Sequence, residues 1–199
     1  MIKSFRINKF RCFNSTKATG FKMINLFGGK NNAGKSALLE ALLLMGEPSN
    51  KSIARLLAFR RVREKFIKEM PQKAWENFFY LQEKENEVSL DFTFDDKTNN
   101  KVILKCDEDI DAFITMMTDG KEGDDEEMVA FADTLKNANS TKSSLHITVY
   151  AQEKELQANV FTSGPNGLAS KGMPHTFIHT HFVPANSKLS SEQTFGDGI

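Results

Sequence analysis

The 199-residue sequence predicts an α/β fold. Two observations predict a strand–turn–helix unit near the N-terminus: an apolar run at residues 23–27 leads into a glycine-rich turn, and strong helix formers at residues 35–45 follow that turn. A third observation is the change to a period of two over Val88–Phe94, which is typical of a half-buried strand. We therefore expect a core sheet around the turn, followed by antiparallel strands.

Composition limits the class of protein and its surroundings. The 26 basic and 26 acidic residues balance, and the hydrophobic fraction of 40% is that of a globular protein. Two distant cysteines, Cys12 and Cys106, do not indicate a disulfide framework. No signal-peptide pattern is present, and the longest apolar stretch is too short to cross a bilayer. We expect a cytoplasmic protein with no membrane partner.

In the first half of the chain, two strands are expected before the glycine-rich turn and helices are expected after it. Residues 2–10 predict a first strand, and residues 23–27 predict a buried strand that enters the turn. Gly46 and Pro48 end the first helix. Ser52 can cap a second helix that runs to about residue 70, and a short helix is expected at residues 75–81.

The second half predicts strands separated by an acidic helical region. Val88–Phe94 and residues 102–104 form a hairpin signal around a polar loop. The remaining expectations are strands at 145–150, 156–162 and 176–183, short helices near 109–118 and 125–137, and a loop over 163–174.

The turn itself matches a phosphate-binding loop: Gly29, four residues, then Gly34-Lys35-Ser36. Backbone amides must wrap a β-phosphate, and glycines permit the dihedral angles and the close approach that this requires. The next helix presents its N-terminus to the same anion. Lys35 can reach the β- and γ-phosphates, and Ser36 can place its hydroxyl on Mg²⁺. The pattern predicts a nucleoside triphosphate with Mg²⁺ as the ligand, and we expect the nucleotide to be ATP.

Around this loop the sequence resembles the start of an ABC-type ATPase, in the branch of SMC proteins, RecF proteins and OLD-type ATPases. The resemblance covers about the first 45 residues. It rests on Phe5-Arg6-Ile7-Asn8-Lys9-Phe10-Arg11-Cys12-Phe13 and on Ile24-Asn25-Leu26-Phe27-Gly28-Gly29-Lys30-Asn31-Asn32-Ala33-Gly34-Lys35-Ser36-Ala37-Leu38-Leu39-Glu40-Ala41-Leu42.

The resemblance implies roles for individual residues. Arg11 and Cys12 would contact the adenine, ribose or phosphates, and Asn31 and Asn32 would shape the phosphate cradle. Lys35 is the expected catalytic residue, and Ser36 the expected Mg²⁺ ligand. The full set expected to bind the nucleotide is Arg11, Cys12, Gly29, Lys30, Asn31, Asn32, Ala33, Gly34, Lys35, Ser36 and Ala37.

The resemblance also implies an architecture. Residues 1–199 would be the N-terminal lobe of an ATP-binding domain with a mixed core sheet, a helical insertion at about 51–81 and an antiparallel side sheet at about 87–162. The sequence has neither a later apolar run ending in Asp-Glu nor a Leu-Ser-x-Gly signature. We therefore expect a truncated fold that binds ATP and hydrolyses it poorly until a second half completes it.

The partners follow from the same resemblance. Complete heads of this branch sandwich ATP in a homodimer or higher oligomer, and DNA and an effector nuclease domain or partner protein are further candidates. The basic segment 51–73, with eight Lys/Arg, could meet nucleic-acid phosphates, or could be a solvated helix face. Two other functions stay open: a small P-loop kinase or GTPase-like enzyme, and a non-catalytic interaction protein that binds ATP.

Overall fold

The computed structural model describes residues 2–107, 143–164, 167–171, 176–178 and 180. Its strands are β1 (Ile2–Phe10), β2 (Phe13–Thr19), β3 (Val88–Phe94), β4 (Asn99–Asp107), β5 (Ser143–Ala151), β6 (Lys154–Gly164) and β7 (Gly167–Lys171). They form one seven-stranded sheet in the order β2-β1-β3-β4-β5-β6-β7, and every neighbouring pair is antiparallel.

The helices among the described residues are α1 (Lys35–Gly46), α2 (Asn50–Phe59) and α3 (Glu64–Glu69), followed by 3₁₀ turns at Pro71–Lys73, Glu76–Phe78 and Tyr80–Gln82. They share one hydrophobic core with the sheet. Alternate strand residues such as Ile7, Leu90 and Leu104 are fully buried there, as are Leu44 and Leu56 from the helices. Alternate residues of a strand point to opposite faces of the sheet. The apolar positions of the period-two pattern therefore lie on the face that the helices cover.

The α/β class is confirmed, but the arrangement of the sheet differs from the prediction. β1 pairs directly with β3, so the N-terminal strands continue the sheet that had been expected as a separate side sheet at 87–162. The expected mixed core sheet is not found among the described strands, all of which pair antiparallel. A parallel pair requires a long crossover, whereas short hairpins join most of these strands.

The predicted buried strand at residues 23–27 is wrong for the structure described. Residues 20–34 form no strand, and the exposed fractions of Met23, Ile24 and Leu26 are 91%, 86% and 96%. Asn25 instead closes a local turn, because its side chain accepts a hydrogen bond from the Lys22 amide at 2.9 Å and donates one to the Lys22 carbonyl at 2.7 Å. An apolar run becomes a buried strand only if another strand pairs with it, and none of the described strands does.

The predicted helix from Ser52 to about residue 70 is two helices. Ser49 rather than Ser52 caps α2, and its hydroxyl accepts a hydrogen bond from the Ser52 amide at 3.3 Å. The helix ends at a left-handed residue, Arg61 (φ 55°), whose amide donates to the Ala58 carbonyl, while the Val62 amide donates to the Leu57 carbonyl. These two bonds define a Schellman motif. Glycine usually marks that position, so the arginine concealed the break.

The later predictions have mixed outcomes. The hairpin of Val88–Phe94 with residues 102–104 is confirmed as β3 and β4. The strands at 145–150 and 156–162 are confirmed as β5 and β6, whereas β2 was missed. The expected loop at 163–174 is wrong where described, because β6 and β7 form a hairpin there, and the helix expected at 75–81 consists of two 3₁₀ turns. Described residues in the expected strand 176–183 are not in a strand; the helices expected at 109–118 and 125–137 lie outside the described residues.

Candidate functional site

The glycine-rich turn has the geometry of an anion-binding loop. Asn32 (φ 61°) and Gly34 (φ 85°) are left-handed, and the Ala33 amide donates to the Lys30 carbonyl at 3.3 Å. Gly34 is the N-cap of α1 and makes no side-chain cap, and the first helical hydrogen bond runs from the Leu38 amide to the Gly34 carbonyl. The amides before Leu38 therefore have no partner within the helix, which suits them to bind an anion.

Lys35 lies folded across this loop. Its ammonium donates to the carbonyls of Gly29 and Lys30, both at 2.7 Å. These bonds hold a positive charge over the loop that also presents the helix amides. Ser36, the next residue, is exposed. One loop thus combines a fixed cation, backbone donors and an accessible hydroxyl, which is the set of groups that a phosphate chain with a divalent cation requires.

The turn between β1 and β2 touches the loop at Gly34. A Cβ atom at Gly34 would lie 2.9 Å from Cys12 Sγ and 3.2 Å from Phe13 Cζ. Gly34 is thus required both for its left-handed backbone and for this close contact. The contact places the β1–β2 turn, which carries Arg11 and Cys12, next to the phosphate loop; their contact with a nucleotide stays a prediction.

A buried carboxylate behind the loop joins two arginines. Glu40 lies on α1 with its side chain 3% exposed, and Arg60 donates to both of its oxygens at 2.9 and 3.0 Å. Arg11 forms a second ion pair with Glu40. Arg60 is the C-cap of α2, so the Schellman turn that ends α2 positions its guanidinium. The cluster connects the β1–β2 turn, α1 and the C-terminal end of α2 at the edge of the site.

Arg11 is held from several sides. Its guanidinium donates to the Asn77 carbonyl at 2.6 Å and stacks 4.9 Å from the centre of the Phe78 ring. Burial lowers the pKa of Arg11 to about 10, and the Glu40 carboxylate opposes that shift. The guanidinium remains protonated at neutral pH. It offsets the Glu40 charge, which leaves Arg60 and Lys35 to supply a net positive charge at the loop.

These elements surround one cleft of about 870 Å³, a volume typical of small-molecule sites. The predicted residues that line it are Arg11, Cys12, Asn31, Asn32, Ala33, Gly34, Lys35, Ser36 and Ala37. Gly29 and Lys30 do not line it, but their carbonyls hold Lys35. Sequence reasoning missed the other lining residues, which are Arg60, Asn77, Phe79, Leu81 and Gln82, and it missed Glu40 behind them. Only Arg60 carried a signal, as part of the basic segment.

The metal-binding capacity of the described cleft rests on Ser36. The lining residues include no Asp or Glu, and the described part of the chain contains no group of three or more His, Cys, Asp or Glu that could hold a metal ion. Asp95 and Asp96, which follow the apolar strand β3, do not line the cleft: Asp95 pairs with Lys3 at 3.2 Å and Asp96 accepts from Thr98. The Ser36 hydroxyl fits Mg²⁺ as one ligand beside phosphate oxygens and water.

The loop, its helix and the cleft define a P-loop nucleotide-binding protein. The chain belongs to the family of AAA ATPase domains, whose model matches residues 1–180. It is 34% identical over 104 residues to a protein described as an ATP/GTP phosphatase from Helicobacter pylori. It is 32% identical over 105 residues to an uncharacterized protein from Methanocaldococcus jannaschii. Membership of this family supports an ATP-binding, P-loop function for the chain.

The matched regions are partial. They cover 52% of this chain and 26% of the Helicobacter protein, and 50% of this chain and 45% of the Methanocaldococcus protein. The chain thus spans less than half the length of the curated relatives it matches. Of the described helices, none has the length and apolar character needed to cross a membrane.

Proposed function

We propose that the chain is the ATP-binding lobe of a cytoplasmic ATPase of the OLD-type, RecF-type or SMC-type branch that acts in DNA repair or phage defence. The observation that carries the ATP-binding part is Lys35, whose ammonium lies 2.7 Å from two carbonyls of the loop, beside the uncapped start of α1. The branch and the biological setting are supported by the residues around the loop, from Phe5 to Leu42.

The chain's own groups account for binding the triphosphate. The amides at the start of α1 donate to the β-phosphate, and Lys35 exchanges its carbonyl contacts for the β- and γ-phosphates. Arg60, with its side chain 40% exposed in the cleft, adds positive charge while Glu40 keeps it in place. Since Lys35 acts where the negative charge of the phosphates is concentrated, its removal should lower the affinity for ATP while leaving the fold nearly unchanged.

The residues that line the described cleft also bear on how Mg²⁺ would be held and how fast ATP would be hydrolysed. Mg²⁺ would be held by Ser36 and the phosphates, and when bound it neutralises phosphate charge. Because no carboxylate lines the described cleft, we propose that these residues bind ATP and turn it over slowly. A carboxylate that orients the attacking water would then come from outside the described residues, for example from a second half or a partner head.

An ATP-sandwiched dimer fits the exposure of the loop. Lys30, Asn31, Asn32 and Ala33 are all exposed, so a second head could approach the phosphates from that side. Binding of ATP would then favour the closed pair and hydrolysis would release it. DNA and an effector nuclease domain or partner protein complete the proposed system. The basic residues Arg61 and Arg63, exposed beside α2, are the proposed DNA contacts.

Calorimetric titration with ATP and Mg²⁺ tests the binding claim. We expect saturable heat for the wild type and at least a tenfold loss of affinity for Lys35→Ala, because that change removes a charge-assisted contact. Lys51→Ala is the matched control, since Lys51 is exposed on α2 and does not line the cleft. No heat for the folded wild type, or equal affinity for Lys35→Ala, would overturn the proposal.

A second candidate is a non-catalytic ATP-binding protein, which the lack of a carboxylate in the described cleft favours. Steady-state turnover of ATP separates the two, with Lys35→Ala as the background. Turnover above that background supports an enzyme, while binding with turnover at background supports a binder. GTP belongs in the same assay because the Helicobacter relative is described as an ATP/GTP phosphatase.

A further inference from the structure

The segment Asn77–Gln82 forms a second wall of the cleft and is anchored to β1. The Arg11 amide donates to the Phe78 carbonyl at 3.1 Å, and the Arg11 guanidinium donates to the Asn77 carbonyl at 2.6 Å. Phe10 and Phe79 form an isolated antiparallel bridge, and the side chains of Phe78 and Phe79 are buried. Because the β1–β2 turn also touches Gly34, this wall has a fixed position relative to the phosphate loop.

Beyond Phe79 the wall turns outward in a conformation that costs energy. Leu81 (φ 55°) and Gln82 (φ 64°) are consecutive left-handed residues, and neither is glycine or asparagine. The turn is closed by the Gln82 amide, which donates to the Phe79 carbonyl at 3.1 Å. A left-handed leucine is disfavoured, because its Cβ crowds the following carbonyl oxygen. Such outliers persist where the surrounding structure holds them, often at ligand sites.

The strained turn presents an apolar side chain at the cleft. Leu81 is 68% exposed, and both Leu81 and Gln82 line the same cleft as Lys35 and Ser36. The phosphate loop supplies donors and charge for a triphosphate, but nothing in it can bind the flat, apolar face of a base. Leu81 supplies a surface for that face, and Gln82 is exposed, so its side-chain amide is accessible from the cleft.

We propose that Leu81 and Gln82 form the nucleobase subsite of this cleft and make it selective for adenine, an inference that rests on the proposed function. The Leu81 side chain packs on the base, and the Gln82 amide accepts from adenine N6 and donates to N7, a pairing that glutamine makes with two hydrogen bonds. Guanine presents two acceptors, O6 and N7, at that edge, so the Gln82 carbonyl would face an acceptor.

The test compares ATP, GTP and inorganic tripolyphosphate on the full chain, each with Mg²⁺. Leu81→Asn keeps the fold because asparagine tolerates a left-handed backbone. It should lower the affinity for ATP about fivefold without lowering the affinity for tripolyphosphate. Gln82→Met keeps the length of the side chain and should reduce an ATP-over-GTP preference of about tenfold to near one. Leu156→Asn, at another exposed leucine, is the control and should change the affinity for neither ATP nor tripolyphosphate.

The outcomes separate the subsite from the phosphate site. Unchanged ATP affinity and selectivity in both variants would overturn the subsite, and so would an equal loss for ATP and tripolyphosphate, which would indicate damage to the phosphate loop. The wild type and Lys35→Ala serve as references. If the wild type binds neither ATP nor tripolyphosphate, or if Lys35→Ala weakens neither, the proposed function itself fails, whatever the behaviour of Leu81.

Discussion

The two sequences that flank the phosphate loop have similar apolar character and opposite environments. On the N-terminal side, Met23, Ile24 and Leu26 are almost fully exposed, whereas on the C-terminal side Leu44 and Met45 of α1 are fully buried. A helix satisfies its backbone hydrogen bonds internally and needs only a surface for its apolar side chains. A strand needs a neighbouring strand to pair with, and the described residues provide two for β3 but none for residues 23–27.

The loop is consequently held from its helical side. Glu40 on α1 joins Arg11 of the β1–β2 turn and Arg60 at the end of α2. At the far end of α1, the amides of Phe177 and Ile178 both donate to the Gly46 carbonyl. Substitutions on the two flanks should therefore differ strongly in their effect on the free energy of unfolding.

The largest effect is expected at Glu40. Glu40→Ala leaves the buried Arg11 guanidinium without its carboxylate, and we expect a loss of about 4 kcal/mol in the free energy of unfolding. Glu69→Ala removes an exposed carboxylate that pairs with Lys65 at 3.7 Å, and it should cost less than about 0.5 kcal/mol. Urea denaturation measures both. Equal losses would mean that the Arg11–Glu40–Arg60 cluster does not hold α1.

A matched pair of leucines tests the flanks directly. Leu44→Ala opens a cavity in the core and should cost about 3 kcal/mol. Leu26→Ala changes a side chain that is almost entirely in water and should stay within about 0.5 kcal/mol of the wild type. Chemical denaturation monitored at Trp75, which is buried in the same core, gives both values. A loss above about 2 kcal/mol for Leu26→Ala would show that the N-terminal flank is buried.

Two left-handed glycines sharpen the comparison at the loop itself. Gly34→Ala adds backbone strain and a contact of 2.9 Å with Cys12 Sγ, so we expect a loss of about 2 kcal/mol and weaker ATP binding. Gly20→Ala has the same kind of backbone (φ 80°) and nothing within 4 Å, and it should cost about 1 kcal/mol from strain alone. Thermal unfolding with and without ATP measures both; a smaller loss at Gly34 than at Gly20 would contradict the close contact.

Local patterns predicted those features that local forces determine. The Gly29-to-Ser36 spacing, the helix after it and the alternation of Val88–Phe94 all depend on nearby residues, and the structure contains each. Several of the missed features depend on contacts distant in sequence or on unusual residues in left-handed turns. Arg61 occupies a helix-ending position where glycine would have been a signal, and Leu81 is an exposed leucine in an uncommon conformation.

The candidate site shows the same division. The motif predicted which residues bind phosphate, and the family resemblance predicted Arg11 and Cys12 beside them; most of these residues line one cleft, and their roles stay predictions. Arg60 reaches the cleft only because α2 ends where it does and because Glu40 is buried beneath it. That pairing joins α1 to the residue that caps α2, 20 positions away in the sequence, and neither position carries a pattern that predicts the contact.

Alkylation of Cys12 tests most directly whether a triphosphate occupies the cleft. Cys12 is exposed and lines the cleft beside Gly34, while Cys106 is half-buried on β4 and serves as an internal reference. With ATP and Mg²⁺ at ten times the dissociation constant, we predict that N-ethylmaleimide modifies Cys12 about tenfold more slowly and Cys106 at an unchanged rate. Equal rates at Cys12 with and without bound ATP would contradict the assignment of the phosphate loop as the nucleotide site.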